Sequence, residues 1–576
     1  MPRYRVDVAD AHAHLFRVTL TLSRPAPAQR FSLPVWAPGS YMVRDFVRHL
    51  SGLRAVQRGE PVPLEQVDKT SWVAHAGDRS ALTLSYLVYA FDASVRGAFL
   101  GSERGFFNGS SVLLRAEGRE AEPHTLQIGK LPPGWGLATA MPAASARHRF
   151  VAADYDELVD HPFELGPVQR LQRLGFKAGG VRFEVVVTGA WPSFSADRLA
   201  DDMRRVCAET IAFWHPRGAA PFARYLFLLH AGGSGCGGLE HRISSALVCA
   251  RRDLPRTGES ARSEGYVALL GLVAHELFHA WSVKRLRPRE WASPDYNREN
   301  HTSLLWFFEG FTTYFEDRLL LRAGLVDAAQ YLRLLARTIT ALAASPGRQV
   351  QSVAAASFDA WTRYYRSDEN TPNSTVSYYT KGALVALAFD LTLRADGQGS
   401  LDEVLRLLWQ RCRRRGLTEP DIEQALVQVA GRSLRAELQA WVHGTDELPL
   451  QPLLEAAGVR WQQSPAALAQ AVGLRLSEGA VSGVHVRSVL RGSAAERAGL
   501  AAGDELLAVD GWRIRRLEDA RQWLAPGVAF ELLFVRDERV RNCRVDPACD
   551  MMPTITLALS DAPGAAAVLR QGWLGA

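Results

Sequence analysis

Residues 273–281 read Val-Ala-His-Glu-Leu-Phe-His-Ala-Trp, and no other stretch constrains the chain as strongly. His275 and His279 stand at i and i+4, which puts both imidazoles on one face of a helix, one turn apart. Two imidazoles so placed reach a single zinc ion at about 2.0–2.1 Å each. Glu276 lies beside that face, placed to take a proton from a metal-activated water. The five-residue pattern also arises by chance on surface helices, so its flanks matter. Tyr266, Val267, Leu269, Leu270, Leu272, Val273, Leu277 and Phe278 make the segment apolar nearly all round, which predicts a buried helix. Two histidines and a glutamate buried there without a partner would be costly. A metal is the simplest partner, and one zinc per chain is expected.

A catalytic zinc takes three protein ligands and keeps one position open. The third His of an HExxHxxGxxH arrangement is absent, because Arg285 stands in its place. Glu309 is the best candidate, alone in the apolar helical run Leu304-Leu305-Trp306-Phe307-Phe308-Glu309-Gly310-Phe311, where an unpaired carboxylate is rare. His301 competes with it from the polar, loop-like stretch Asp-Tyr-Asn-Arg-Glu-Asn-His-Thr. Glu316 lies seven residues past Glu309, two turns along the same face. It either hydrogen-bonds a zinc-bound His from behind or is a solvated helix residue.

Two further segments carry unusual residues. Arg224 to His230 reads as a buried strand and runs into a glycine-rich loop that ends Gly237-Gly238-Leu239-Glu240-His241. No Lys-Ser or Lys-Thr pair follows, so a phosphate-binding P-loop is excluded. Glycines here either let the backbone approach a ligand closely or form a flexible turn beside a solvated Glu240. Ser377-Tyr378-Tyr379-Thr380-Lys381-Gly382 leads into an apolar helix. Adjacent tyrosines alone are ordinary packing residues.

A chain of 576 residues holds three or four domains. Its 47% apolar and 22% charged content is that of a soluble globular protein. The net charge of +6 is small for this length, and the basic residues are scattered and almost all Arg, with five Lys. That pattern gives no nucleic-acid footprint. The dense run Arg411-Cys412-Arg413-Arg414-Arg415 reads as a solvated helix end. Six Cys without CxxC pairs argue against a disulfide framework; Cys543 and Cys549 are close enough to pair, but reduced thiols are the default. The first residues lack the apolar core of a signal peptide, and no run of 18 apolar residues offers a membrane span. A cytoplasmic location is expected, or a periplasmic one if a leader has been removed.

The combination His-Glu-Leu-Phe-His-Ala-Trp, Lys284-Arg285-Leu286-Arg287-Pro288 and Leu305-Trp306-Phe307-Phe308-Glu309-Gly310-Phe311-Thr312-Thr313-Tyr314-Phe315-Glu316-Asp317 resembles the glycyl aminopeptidase family of the gluzincin clan, PDZ-bearing relatives of the alanyl and leucyl aminopeptidases. The segment Trp36-Ala37-Pro38-Gly39-Ser40-Tyr41-Met42-Val43-Arg44-Asp45-Phe46 resembles that family's N-terminal domain. The better-known aminopeptidases place the third ligand 18 residues after the second His; here 29 residues lie between His279 and Glu309, a spacing that fits the glycyl branch. Gly237 to His241 is similar to the GAMEN exopeptidase motif. By that resemblance Glu240 would bind the substrate's α-ammonium, with Gly237 and Gly238 in the strand edge that pairs with the peptide; His241 replaces the motif's Asn. Tyr379 matches the tyrosine that donates to the oxyanion, with Tyr378 as the fallback. Gly492 to Gly511 looks like the core of a PDZ domain, with Gly473-Leu474-Arg475-Leu476 as a degenerate carboxylate-binding loop. That domain either takes a C-terminal peptide ligand at its sheet edge or packs on the catalytic domain and binds nothing.

The expected fold class is therefore multidomain α+β. Alternation of Phe16, Val18, Leu20 and Leu22, and of Leu82, Leu84, Tyr86 and Val88, marks residues 1–165 as an N-terminal all-β domain. Residues 166–450 would form a thermolysin-like zinc catalytic domain with a helical lobe, opened by a strand at Phe183, Val185 and Val187. A loose segment with Pro449, Pro452 and Pro465 follows, then a C-terminal PDZ domain over 470–545 and an extension over 546–576. The resemblance implies a zinc aminopeptidase that releases Gly or Ala from peptides with a free N-terminus. The alternatives are a zinc endopeptidase of the same clan and a PDZ-based adaptor with an inactive protease domain.

Overall fold

Period-two alternation in the first part of the chain is realised as strands. Phe16, Val18, Leu20 and Leu22 in Leu15–Leu22, and Leu82, Leu84, Tyr86 and Val88 in Leu82–Tyr89, are all buried. The two strands pair antiparallel at the centre of a seven-stranded sheet. Two four-stranded sheets complete this N-terminal β region. The computed structural model describes residues 1–479, 481–547, 553–561 and 563–575. They divide into two compact units, one of residues 1–300, 322–325 and 412–416, the other of residues 301–321, 326–411 and 417–576.

In the first unit a five-stranded sheet follows the N-terminal region. Its order is Gln172–Ala178, Val181–Thr188, Arg224–Gly232, Ser244–Ala250, Gly237–Glu240. The inner strands read Val-Arg-Phe-Glu-Val-Val-Val-Thr and Arg-Tyr-Leu-Phe-Leu-Leu-His and are almost wholly buried, as parallel strands covered on both faces must be. The long helix Ala196–Trp214 joins them as a crossover. Gly237–Glu240 ends the sheet as an edge strand. Helix Glu264–Phe278, capped by the Ser263 side chain on Tyr266 N, carries His275, ends at His279 as its C-cap and is buried over most of its surface.

The second unit is helical, then β. Helix Leu305–Arg322 carries Glu309 and helix Thr380–Ala395 follows Tyr379 directly. Between them sits a buried charge cluster. Asp390 Oδ2 accepts from Tyr314 Oη at 2.6 Å and lies 3.4 Å from Arg318 Nη1, while Asp390 Oδ1 is 3.0 Å from Arg394 Nε. Burial alone would push the Asp390 carboxyl up, yet Arg394 and Arg318 hold it below its ordinary range. The C-terminal helix Ala565–Leu574 is fixed to this cluster: Trp573 Nε1 donates to Tyr314 Oη at 3.2 Å and Arg394 Nη1 to Gly572 O at 2.6 Å.

The stretch expected to be loose is ordered, which corrects that expectation. Pro452 falls in the first turn of helix Leu450–Ala456, where its missing N–H has no helical partner to lose. Val459–Ser464 is a strand paired antiparallel with Thr554–Leu559. Between those two strands lies the module expected to be a PDZ domain. Its sheet runs Leu474–Gly479, Gly483–Val489, Glu505–Val509, Phe530–Arg536, Arg539–Val545, around a core that includes Val472, Leu474, Val486, Leu506, Leu517 and Phe530. Gly473, at φ +79°, ends helix Leu468–Val472 and starts the edge strand. Cys543 is a free thiol, and Cys549 lies outside the described residues. Among the described residues, no helix is long and apolar enough to cross a membrane.

Asp390→Ala removes the nearest counter-charge of the buried Arg318 and Arg394 and leaves only the more distant Asp402, 3.9 Å from Arg394 Nη2. That loss costs about 3–5 kcal/mol. Urea unfolding followed by circular dichroism is expected to show it as a lowered midpoint; an unchanged midpoint refutes the cluster's structural role.

Candidate active site

His275 is half-buried and Glu276 and His279 are buried, all near the C-terminal end of their helix. His279 Nδ1 lies 2.8 Å from Ser282 O. A carbonyl only accepts, so Nδ1 carries the proton and Nε2 keeps its lone pair. That Nε2 is 3.1 Å from His275 Nε2, close to the spacing of two corners of a tetrahedron around an ion roughly 2.0–2.1 Å away. His275 and His279 in the first unit offer imidazole nitrogens, and Glu309 in the second offers a carboxylate oxygen. Two imidazoles and a carboxylate make a donor set that suits zinc. His301 is outside this group. It is exposed, hydrogen-bonds Phe358 O at 2.9 Å through Nδ1 and stacks on the Phe358 ring. Glu316 is half-buried, and its charge, after burial itself, helps push the neighbouring Asp317 carboxyl up to about 8.

The edge strand is built to come close to Glu276. A Cβ at Gly238 would overlap the Glu276 carboxylate, so any larger residue there forces the strand or the Glu276 side chain to shift. Residues i and i+2 of a strand share a face, and Glu240 therefore projects towards the same side as Glu276. Its carboxylate is buried, and a turn of the N-terminal region closes over it. Gly39, at φ +93°, would place a Cβ 2.5 Å from either Glu240 carboxylate oxygen. One edge of Gly237–Glu240 pairs with Ser244–Ala250 in register Gly238↔Leu247 and Glu240↔Ser245. The other is the end of the sheet, the kind of backbone edge to which an extended peptide adds.

Sequence reasoning missed the residues that hold this strand in place. Asp160 is buried, lies 2.6 Å from Lys284 Nζ, accepts from Arg242 N at 2.9 Å and is 3.4 Å from His241 Nδ1. Burial alone would raise its pKa, but Lys284 above all, with His241 and Arg242, keeps the carboxyl well below the ordinary range. His241, next to Glu240 in the chain, is thus turned to Asp160. Arg285, where a third histidine might have stood, donates from Nη1 to Ala280 O at 2.6 Å and to Arg242 O at 2.8 Å. It joins the end of the helix that leads to His279 to the turn that follows Glu240. The intervening Val283 has φ +96°, a strained conformation for a β-branched residue, fixed by Val283 N to Leu286 O at 2.9 Å and Lys284 N to His279 O at 3.1 Å. A lone Asp far upstream gives no sequence signal for any of this.

Two helices meet in the second unit at a pair of glycines. A Cβ at Gly310 would lie 2.5 Å from Gly382 Cα and 2.9 Å from Tyr378 O, and one at Gly382 would lie 2.7 Å from Trp306 O. Glu309 and the Ser377–Gly382 segment are adjacent because both positions lack a side chain. Tyr378 is fully buried, and burial first, then Tyr365 and Glu309, push its hydroxyl well up. Tyr379 is partly exposed, precedes its helix as N-cap and places Oη 2.9 Å from Tyr365 Oη.

Gly238→Ala is expected to displace either the strand or Glu276 and to lower kcat/KM on the order of 10²-fold, as small misplacements of reacting groups do, with the thermal melt retained. Full activity in this variant would mean that the strand does not abut Glu276 in solution.

Residues 3–167 match the Peptidase M61 N-terminal domain, residues 268–385 the M61 glycyl aminopeptidase model and residues 485–536 a PDZ domain. The chain is 33% identical to an aminopeptidase N family protein from Idiomarina loihiensis, whose crystal structure aligns over 100% of both chains with a TM-score of 0.93. It is 16% identical to the M1 zinc metallopeptidase from Deinococcus radiodurans, over 78% of this chain and 94% of that one, with a TM-score of 0.47. No curated protein matches it. The N-terminal β region, the helix with paired histidines and the C-terminal module thus follow one another as the family models do, and the chain belongs to the PDZ-bearing M61 glycyl aminopeptidases, a family of peptidases.

Proposed function

We propose that the enzyme is a zinc aminopeptidase that releases a small N-terminal residue, glycine or alanine, from peptides. The observation that carries this reading is the two-residue step from Gly238, which abuts Glu276, to Glu240 on the same strand face. Two residues of strand span about 6.6–6.8 Å. That length accommodates one charge-assisted hydrogen bond of about 2.7–2.9 Å and the N-to-C span of one residue, about 2.5 Å. A peptide whose ammonium is held by Glu240 therefore presents its first peptide bond to Glu276. Beside Glu240 lies a cavity walled by Trp36, Tyr41, Lys284, Trp291 and Tyr296, which offers a place for the side chain of the first residue.

His275, His279 and Glu309 would hold the zinc, which when bound would activate water and polarise the scissile carbonyl. Glu276 takes the proton of the attacking water on a carboxylate oxygen and passes it to the leaving amine. Tyr379 donates its hydroxyl hydrogen to the carbonyl oxygen as negative charge develops there. The outer edge of Gly237–Glu240, where Gly238 O accepts from Arg96 Nη2 at 3.4 Å, aligns the substrate backbone. Glu240 accepts from the α-ammonium and fixes the point of cleavage. Glu316, on the face of Glu309 two turns along, is the candidate to orient an imidazole ligand from behind.

Metal analysis by inductively coupled plasma mass spectrometry is expected to find about one zinc per chain. Glu309→Gln should release it on dialysis, and His301→Ala should keep it. The reverse pair of results would transfer the ligand role to His301.

Glycyl and alanyl p-nitroanilides are expected to be cleaved and their N-acetylated forms left intact, since acetylation removes the charge that Glu240 binds. Glu240→Ala should lose activity mainly on the free amines. Equal hydrolysis of blocked and free substrates would make the enzyme an endopeptidase.

A further inference from the structure

The PDZ module is attached by a side-chain clamp to the segment that leads to Tyr379. Asn373, buried in the short helix Thr371–Ser374, accepts through Oδ1 from Arg491 N at 2.8 Å and donates through Nδ2 to Val489 O at 2.9 Å. One amide thus satisfies a backbone donor and a backbone acceptor where the PDZ strand Gly483–Val489 ends. Such a buried amide is expensive to leave unpaired, so the clamp holds both sides together.

From Asn373 onward the chain has little freedom. The Thr375 backbone packs against Gly347 so closely that no Cβ fits there. Val376 is fully buried and its N–H donates to Gln351 Oε1 at 3.3 Å. Ser377 Oγ accepts from Thr380 N at 3.1 Å and lies 3.3 Å from Tyr364 Oη. Gly382 is locked against Gly310. Six residues after Asn373 comes Tyr379, whose ring stacks on Tyr378 and Tyr364 and whose hydroxyl meets Tyr365. A shift at the clamp has no slack to absorb it before it reaches that hydroxyl.

We propose that the PDZ domain braces the catalytic tyrosine segment through Asn373, which makes Asn373 a positioning residue for Tyr379. This rests on the assignment of Tyr379 to the oxyanion. The domain's contribution to turnover then comes from how it is docked, with no peptide ligand required.

The full-length enzyme tests this with glycyl p-nitroanilide and with amide hydrogen exchange. Asn373→Ala is expected to lower kcat on the order of 10- to 100-fold, the range that small misplacements cost, with KM within about twofold because the lost contact acts in the transition state. Zinc content should be unchanged, and exchange should quicken at residues 375–380 and 489–492. Asn373→Asp keeps the acceptor for Arg491 N and loses the donor to Val489 O, so it should fall between wild type and Asn373→Ala; it carries the test if the alanine variant fails to fold. Arg491→Ala keeps its backbone N–H and should match wild type. Wild-type kcat in Asn373→Ala or Asn373→Asp overturns the proposal, whether or not exchange quickens. If Tyr379→Phe keeps wild-type kcat while exchange still quickens in Asn373→Ala, the oxyanion assignment has failed and the clamp itself stands.

Discussion

The strand Gly237–Glu240 passes Glu276 so closely that a side chain at residue 238 would force one of the two to shift. At that point the Glu276 carboxylate occupies the volume where a Cβ would sit. The constraint reaches outward from there. The strand is fixed at its far end by Arg242 and His241 on Asp160, the end of the Glu264–Phe278 helix by Arg285 on Ala280 O, and the Pro38-Gly39 turn closes over Glu240. The second unit repeats the device at Gly310 and Gly382, where backbone meets backbone beside Glu309. Glycine costs helix and strand stability of roughly 0.5–1 kcal/mol per position relative to alanine. The close approach of functional groups is what the fold gains in exchange.

Two buried aspartates organise the rest, one in each unit. Asp160 gathers Lys284, His241 and the Arg242 amide, and Asp390 gathers Arg318, Arg394 and Tyr314. A buried ion pair often adds little net stability over an apolar equivalent, whereas removing one member is strongly destabilising. Both carboxyls are held below their ordinary range by neighbouring cations. Their stabilisation is complete above the unfolded-state value of about 3.9 and is lost as pH falls through the lower folded-state value. Near neutrality these clusters therefore act as fixed parts of the scaffold.

The elements with short-range signals were legible in the sequence. Alternation gave the strands of the N-terminal region, apolar flanks gave the buried helix of His275 and Glu276, and the apolar run around Glu309 gave the buried helix Leu305–Arg322. What was illegible depends on partners far along the chain. Nothing near Asp160 hints at Lys284, and nothing near Arg285 hints that it ties two carbonyls. The prolines at 449, 452 and 465 suggested a loose linker because the strand they flank pairs with residues 554–559, a register no local pattern encodes. The choice between turn and strand for Gly237–Glu240 was open for the same reason, since its pairing with Ser244–Ala250 and its contact with Glu276 are tertiary facts.

The pairing of Val459–Ser464 with Thr554–Leu559 has a topological consequence. Ser464 stands directly opposite Thr554, so the PDZ module leaves and re-enters the fold through a single narrow doorway. Two antiparallel strands in that relation can be joined by a two-residue turn. The module is therefore an excursion from a hairpin that would be complete without it.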